Sequence, residues 1–185
     1  MNTLQTIFNE IGNLTDVDYG ANDKGGKIHT YLDTYDKLFK PFQKGCSILE
    51  IGLAKGDSIL LWDKYFTKSK IVGCDLSIVF SSPSYKNDVE LIACDGTKPE
   101  LLDKLNGQKF DIIIDDSSHV TQDQIDTFNM LKGSMKPNGV YIIEDILAYD
   151  IEKHRYAALH HNIEVVDMRS NGRFDNMLII FRDFK

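Results

Sequence analysis

No stretch of this sequence approaches the run of about 20 apolar residues that a membrane span needs. Its amino terminus also lacks a basic start followed by a continuous apolar core. These two absences predict a soluble protein that works in the cytoplasm. Positive charge is scarce as well: 21 Lys and Arg stand against 28 Asp and Glu, a formal charge of −7. Nucleic-acid backbones and anionic membranes are bound through clustered cations that release counterions, so neither is the expected partner. Only three cysteines occur, Cys46, Cys74 and Cys94, each beside or inside an apolar run and in no zinc-binding spacing. They read as buried, reduced thiols. Internal repeats, low-complexity tracts and linkers are missing too.

What is present is 185 residues with 42% hydrophobic content, enough for one domain built on a sheet covered on both faces. Short apolar runs at 47–52, 70–76, 89–95, 110–116 and 139–145 alternate with amphipathic stretches at 57–66, 98–105 and 121–135. That alternation predicts parallel strands joined by helical crossovers. In the last of these helices Ile125, Phe128 and Leu131 form one stripe, while Thr121 and Pro99 suit helix starts. After 145 the pattern changes: a helix near 151–160 precedes apolar runs at 163–168 and 177–181, joined by the turn-prone "RSNGRFDN". Two such runs predict an antiparallel hairpin at the sheet edge. The expected fold is therefore α/β and Rossmann-like, with seven mostly parallel strands, an antiparallel carboxyl-terminal hairpin and helices on both faces. Residues 1–45 form an N-terminal helical cap and 46–185 the core, together one domain.

"LEIGLAKGDS" sets Glu50, Gly52 and Gly56 where the first strand turns into its helix. Glycines there allow close approach of backbone to a ligand, and the helix start offers unpaired N–H groups. The G-x-G-x-x-G spacing of dinucleotide folds is absent, and Glu50 and Asp57 oppose a diphosphate. A ligand with an amino group and no phosphates suits the loop better. Asp75 ends the second run, where a carboxylate can accept from ribose hydroxyls, and Asp95 with Gly96 follows the third, where an adenine edge would lie. Taken in order on three successive strands, they point to S-adenosylmethionine.

The next two runs end in "IIIDDSSH" and "YIIED", which bring Asp115, Asp116, Glu144 and Asp145 to the carboxyl ends of neighbouring strands. Carboxylates gathered in one cleft repel each other unless a cation joins them, and Mg²⁺ takes oxygen ligands of this kind. Asp116, Glu144 and Asp145 are the expected metal ligands. Asp115 faces the other way, toward cofactor or backbone. His119, three residues beyond Asp116, is placed to act as a base near neutral pH. The plainer reading makes these carboxylates helix caps and solvated loop ends.

Together, "LEIGLAKGDSILLWDKYF", "GCDLS", "FDIIIDDSSH", "MKPNGVYIIED" and the upstream "NDKGGKIHTYLDTYDKLF" resemble the metal-dependent sugar O-methyltransferases of the macrocin and mycinamicin type. The resemblance implies a class I methyltransferase using S-adenosylmethionine and Mg²⁺ on a sugar hydroxyl. Carried over, Asp116, Glu144 and Asp145 match metal ligands and His119 the general base, with Asp116 beside it in catalysis. Glu50, Gly52, Ser58, Asp75 and Asp95 fall on cofactor-binding motif positions, while Lys24 and Tyr31 match an N-terminal motif that closes over the cofactor. Two departures stand out: Asp57 where a second glycine is common, and Ser117 in "DDSSH" where "DDGSH" is common. The expected acceptor is an exposed sugar, a nucleotide sugar or another small hydroxylated compound, and a homo-oligomer is allowed. Two rival readings keep the fold: a donor-binding module without catalysis, and a metal-dependent hydrolase or hydroxylase in the same acidic cleft.

Overall fold

The protein is described from a computed structural model, which covers residues 3–12, 24–25, 29–80 and 84–185. Seven strands form one sheet: β1 (Ser47–Ile51), β2 (Lys70–Asp75), β3 (Asp88–Ala93), β4 (Phe110–Asp115), β5 (Met135–Glu144), β6 (Ile163–Asp167) and β7 (Met177–Phe181). Their order is β3-β2-β1-β4-β5-β7-β6. Pairings among the first five are parallel, and β7 runs antiparallel to both β5 and β6. The chain reverses its direction of travel across the sheet between β1 and β4, which opens a crevice at the carboxyl ends of those strands.

Among the described residues six α-helices cover the sheet: α1 (Leu4–Gly12), α2 (Leu32–Phe39), α3 (Asp57–Tyr65), α4 (Glu100–Leu105), α5 (Thr121–Leu131) and α6 (Tyr149–Ala157). Strand side chains alternate between faces, so each buried strand feeds two cores. Ile48, Ile71, Ile112, Ile114 and Ile142 pack with α1, α2 and α3. Leu49, Val72, Ile113, Tyr141 and Ile143 pack with α4, α5 and α6. Full burial of one such side chain contributes about 1.5–3 kcal/mol. This double coverage is why the runs read as continuously apolar.

The differences from expectation are local. The fifth run begins earlier, at Met135, because Asn138 with φ 64° breaks the β4–β5 register between Phe110 and Ile112 and lets "KPNG" join the strand as an irregularity. Thr121 is the first helical residue of α5; the cap position belongs to Val120, which has no side-chain hydrogen bond to offer. The 57–66 helix stops at Tyr65, with Phe66 extended. Cys94 is half-buried, its sulfur 3.4 Å from that of buried Cys74. No helix among the described residues is long and apolar enough to cross a membrane.

Candidate active site

Two adjoining structures occupy the carboxyl ends of the parallel strands. The first is a cavity of about 250 Å³ lined by Ile51, Gly52, Cys74, Asp75, Leu76, Asp95, Gly96, Thr97, Ser117 and Ser118. Backbone builds it. Gly52, at φ 87°, lies so close to the β4 loop that a β-carbon there would come 2.0 Å from the Asp116 carbonyl oxygen. The chain crossing at this point therefore admits only glycine. Asp75 Oδ2 accepts from the Leu53 and Ala54 amides at 2.7 and 3.2 Å, which braces the turn after β1. Asp95 accepts from the hydroxyl and amide of Thr97, and these bonds hold its carboxyl below the ordinary range. Gly52, Asp75, Asp95 and Gly96, four of the residues expected to hold a cofactor, thus share one wall.

The second structure is acidic and is made by side chains. Glu50, Asp116 and Glu144 point to the same face of the sheet from the neighbouring strands β1, β4 and β5, as their even spacing from Ile48, Ile114 and Ile142 requires. Lys24 Nζ lies 3.0 Å from Glu50 Oε1, 2.9 Å from Asp116 Oδ2 and 2.8 Å from Glu144 Oε1, with Lys24 only 1% exposed. Trp62 Nε1 donates to Glu50 Oε2 at 2.9 Å, and the Tyr35 hydroxyl donates to Glu144 Oε1 at 2.6 Å. Burial pushes the Glu144 carboxyl up, while the Lys24 charge pulls it back toward ionisation.

Glu144 and Asp145 each share a group of convergent ligand atoms with Asp116, though no such group among the described residues holds both. Asp145, at φ 54°, has left the strand conformation, and its hydrogen-bond partners differ from those of Glu144. The Tyr31 hydroxyl donates to Asp145 Oδ1 at 2.6 Å. Asp145 Oδ2 faces His29 Nε2 at 3.4 Å and His119 Nδ1 at 3.6 Å. Asp116 is the shared member of two groups of convergent ligand atoms: Glu50, Asp116 and Glu144 in one, Asp116, His119 and Asp145 in the other. His119 Nδ1 is buried without a hydrogen-bond partner among the described residues. The carboxylates converging beside that imidazole, Asp116 and Asp145, offer oxygens that fit a divalent cation. His119 has φ 56°, so both it and Asp145 hold the left-handed backbone that costs non-glycine residues energy and that clusters at functional sites.

Other expected cofactor residues lie elsewhere. Glu50 and Lys24 belong to the acidic cage, and Tyr31 belongs to Asp145. Ser58 is buried in the first turn of α3, off the cavity wall. Asp115 is fully buried on the opposite face, accepting from the Ser117 hydroxyl at 2.7 Å, and burial pushes its carboxyl up to about 6. Its Oδ2 and the Tyr141 hydroxyl interact electrostatically, but neither has a hydrogen-bond partner among the described residues. Sequence reading passed over Tyr35, His29 and Gln124, which donates to the Glu144 carbonyl at 3.1 Å. Tyr31 and Tyr35 lie one helical turn apart, a pattern that marks a shared face. Nothing local marks Gln124.

The Lys24, Tyr31 and Tyr35 contacts tie the N-terminal segment to strand ends more than 90 residues away. No family model matches the chain. Its relatives nonetheless agree with one another. The 8-demethyl-8-alpha-L-rhamnosyl tetracenomycin-C 2'-O-methyltransferase of Streptomyces olivaceus is 32% identical over 136 residues, 68% of this chain and 35% of its own length. Demethylmacrocin O-methyltransferase of Streptomyces fradiae is 29% identical over 133 residues, 66% of this chain and 33% of its own. Among solved structures, the MycE methyltransferase from the mycinamycin biosynthetic pathway, in complex with Mg, SAH and mycinamycin VI, superposes with a TM-score of 0.73 at 22% identity. It covers 99% of this chain and 54% of its own. An O-methyltransferase from Bacillus cereus in complex with SAH follows at a TM-score of 0.60 and 14% identity, covering 97% of this chain and 90% of its own. The fold is thus that of the class I Rossmann-like methyltransferases. The chain spans about a third of the length of the curated relatives it matches. By sequence, it is similar to the macrocin- and mycinamicin-type sugar O-methyltransferases over about a third of their length.

Proposed function

We propose that the chain transfers a methyl group from S-adenosylmethionine to a hydroxyl of a sugar or sugar-containing small molecule. One observation carries this reading. The loop at 116–119 lines the 250 Å³ cavity with Ser117 and Ser118, and at its two ends presents Asp116 and His119 to the acidic site. A donor in the cavity and a hydroxyl in the cleft would therefore be separated by one turn of backbone. The whole chain acts as one methyltransferase domain, its N-terminal segment capping the core.

In this reading Gly52, Asp75, Asp95 and Gly96 hold the nucleoside part of the donor, the carboxylates meeting ribose and adenine edge. Asp116, Glu144 and Asp145 would hold Mg²⁺, Asp116 standing in both groups of convergent ligand atoms. When bound, the metal supplies a Lewis acid that lowers the pKa of a coordinated oxygen. Asp145 orients His119 through Nδ1, leaving Nε2 to accept the acceptor's proton. Asp115, Ser58 and Glu50 position these elements from behind. One of the relatives above is named as a rhamnosyl tetracenomycin-C 2'-O-methyltransferase, which supports a sugar hydroxyl as acceptor.

The test is release of S-adenosylhomocysteine from S-adenosylmethionine in the presence of Mg²⁺ and a panel of glycosides and nucleotide sugars. A His119→Ala variant should turn over about 10²- to 10⁴-fold more slowly while binding S-adenosylhomocysteine as tightly as the parent by calorimetry. Full turnover by the variant would remove His119 from the chemistry. Donor binding without transfer to any acceptor would favour a binding module.

A further inference from the structure

The acidic cleft contains a cation of the protein's own. The Lys24 ammonium donates hydrogen bonds to Asp116 at 2.9 Å and Glu144 at 2.8 Å and is ion-paired with Glu50 at 3.0 Å. Asp116 and Glu144, both proposed above as metal ligands, offer oxygens within 4.8 Å of each other, a spacing suited to two ligands of one divalent ion. Trp62 and Tyr35 fix two of the carboxylates from behind at 2.9 and 2.6 Å, so the cage is held open in this shape by neutral donors.

We propose that Lys24 is the resident counter-ion of the Glu50–Asp116–Glu144 cage and that it competes with a divalent cation for Asp116 and Glu144. A metal takes carboxylate oxygens at about 2.1 Å, so an ion bound to those oxygens would sit within about 4 Å of the ammonium. Like charges that close in a buried setting repel strongly. Seating of Lys24 and full metal ligation by Asp116 and Glu144 are then mutually exclusive, and Lys24 becomes a positioning residue that sets metal affinity. This rests on the reading that places a metal at Asp116, but it concerns the chain's own cation.

The experiment is calorimetric titration of the full chain with MgCl₂ and MnCl₂, with thermal melting alongside, for the parent, Lys24→Met and Glu50→Gln. Lys24→Met should bind metal about tenfold more tightly or better, and its melting temperature should rise with added metal by more than the parent's. Glu50→Gln weakens the Lys24 seat without touching Asp116, Glu144 or Asp145, and should shift affinity the same way by about threefold. Unchanged or weaker binding in both variants overturns the proposal. If Lys24→Met is unfolded without metal, recovery of its circular dichroism on adding Mn²⁺ supports the proposal. Failure to recover, with Glu50→Gln binding like the parent, overturns it. None of these measurements reads methyl transfer, so loss of the assay above would leave them standing.

Discussion

The 250 Å³ cavity and the acidic cleft meet at Asp116 yet are built differently. Backbone amides, a left-handed glycine and carboxylates that cap their own loops make the cavity: Asp95 bonds Thr97 two residues on, and Asp75 bonds Leu53 twenty-two residues away on the adjoining strand's loop. The cleft is assembled from side chains far apart in sequence, with Lys24 and Glu144 separated by 120 positions and Tyr35 and Glu144 by 109. Local construction gives a rigid receptacle that needs few partners. Distant construction makes the cleft depend on docking of the N-terminal segment, and leaves buried charges that must all be satisfied together.

The most damaging change to this contrast is Gly52→Ala, since Gly52 belongs to the cavity but touches Asp116. A β-carbon 2.0 Å from the Asp116 carbonyl oxygen, on a residue at φ 87°, should cost about 3–5 kcal/mol in urea unfolding and disorder both regions at once. A loss confined to donor binding, with stability unchanged, would show that the regions are independent. Tyr35→Phe tests the cleft alone. It removes a 2.6 Å hydrogen bond to a buried carboxylate, and should cost about 1–3 kcal/mol while leaving donor affinity intact. Thr97→Ala tests the cavity's local capping and has the smallest expected effect, about 0.5 kcal/mol. Thr97 holds the Asp95 carboxyl below its ordinary value of 3.8, so this stability is present above pH about 4 and is lost as pH falls through the depressed pKa. The variant should therefore match the parent in acid and differ only above that window, with the Asp95 resonance titrating nearer 3.8 by NMR.

Legibility followed the same division. Strand runs and their order showed in the sequence because buried parallel strands are apolar throughout. The positions of Gly52, Asp75 and Asp95 showed because each must end a strand. The opposite facing of Asp115 and Asp116 came from period-two alternation, whereas at 144–145 the left-handed backbone of Asp145 breaks that alternation and no pattern shows it. Tyr35 and Gln124 escaped because a polar residue on a helix looks the same whether it meets solvent or a strand tip, and His29, in the segment before α2, has no spacing that sets it apart. Glu50 and Lys24 were recognised by motif but assigned to the cofactor, since no spacing reveals that an ammonium sits among three carboxylates.

Period and composition by themselves determined the sheet, its two cores and the gathering of acids at one end, because alternation and burial are local rules repeated along the chain. Tertiary structure decided which acids share a space and what neutralises them. That depends on through-space distances of 2.6–3.0 Å between segments whose separation along the chain carries no trace of their contact.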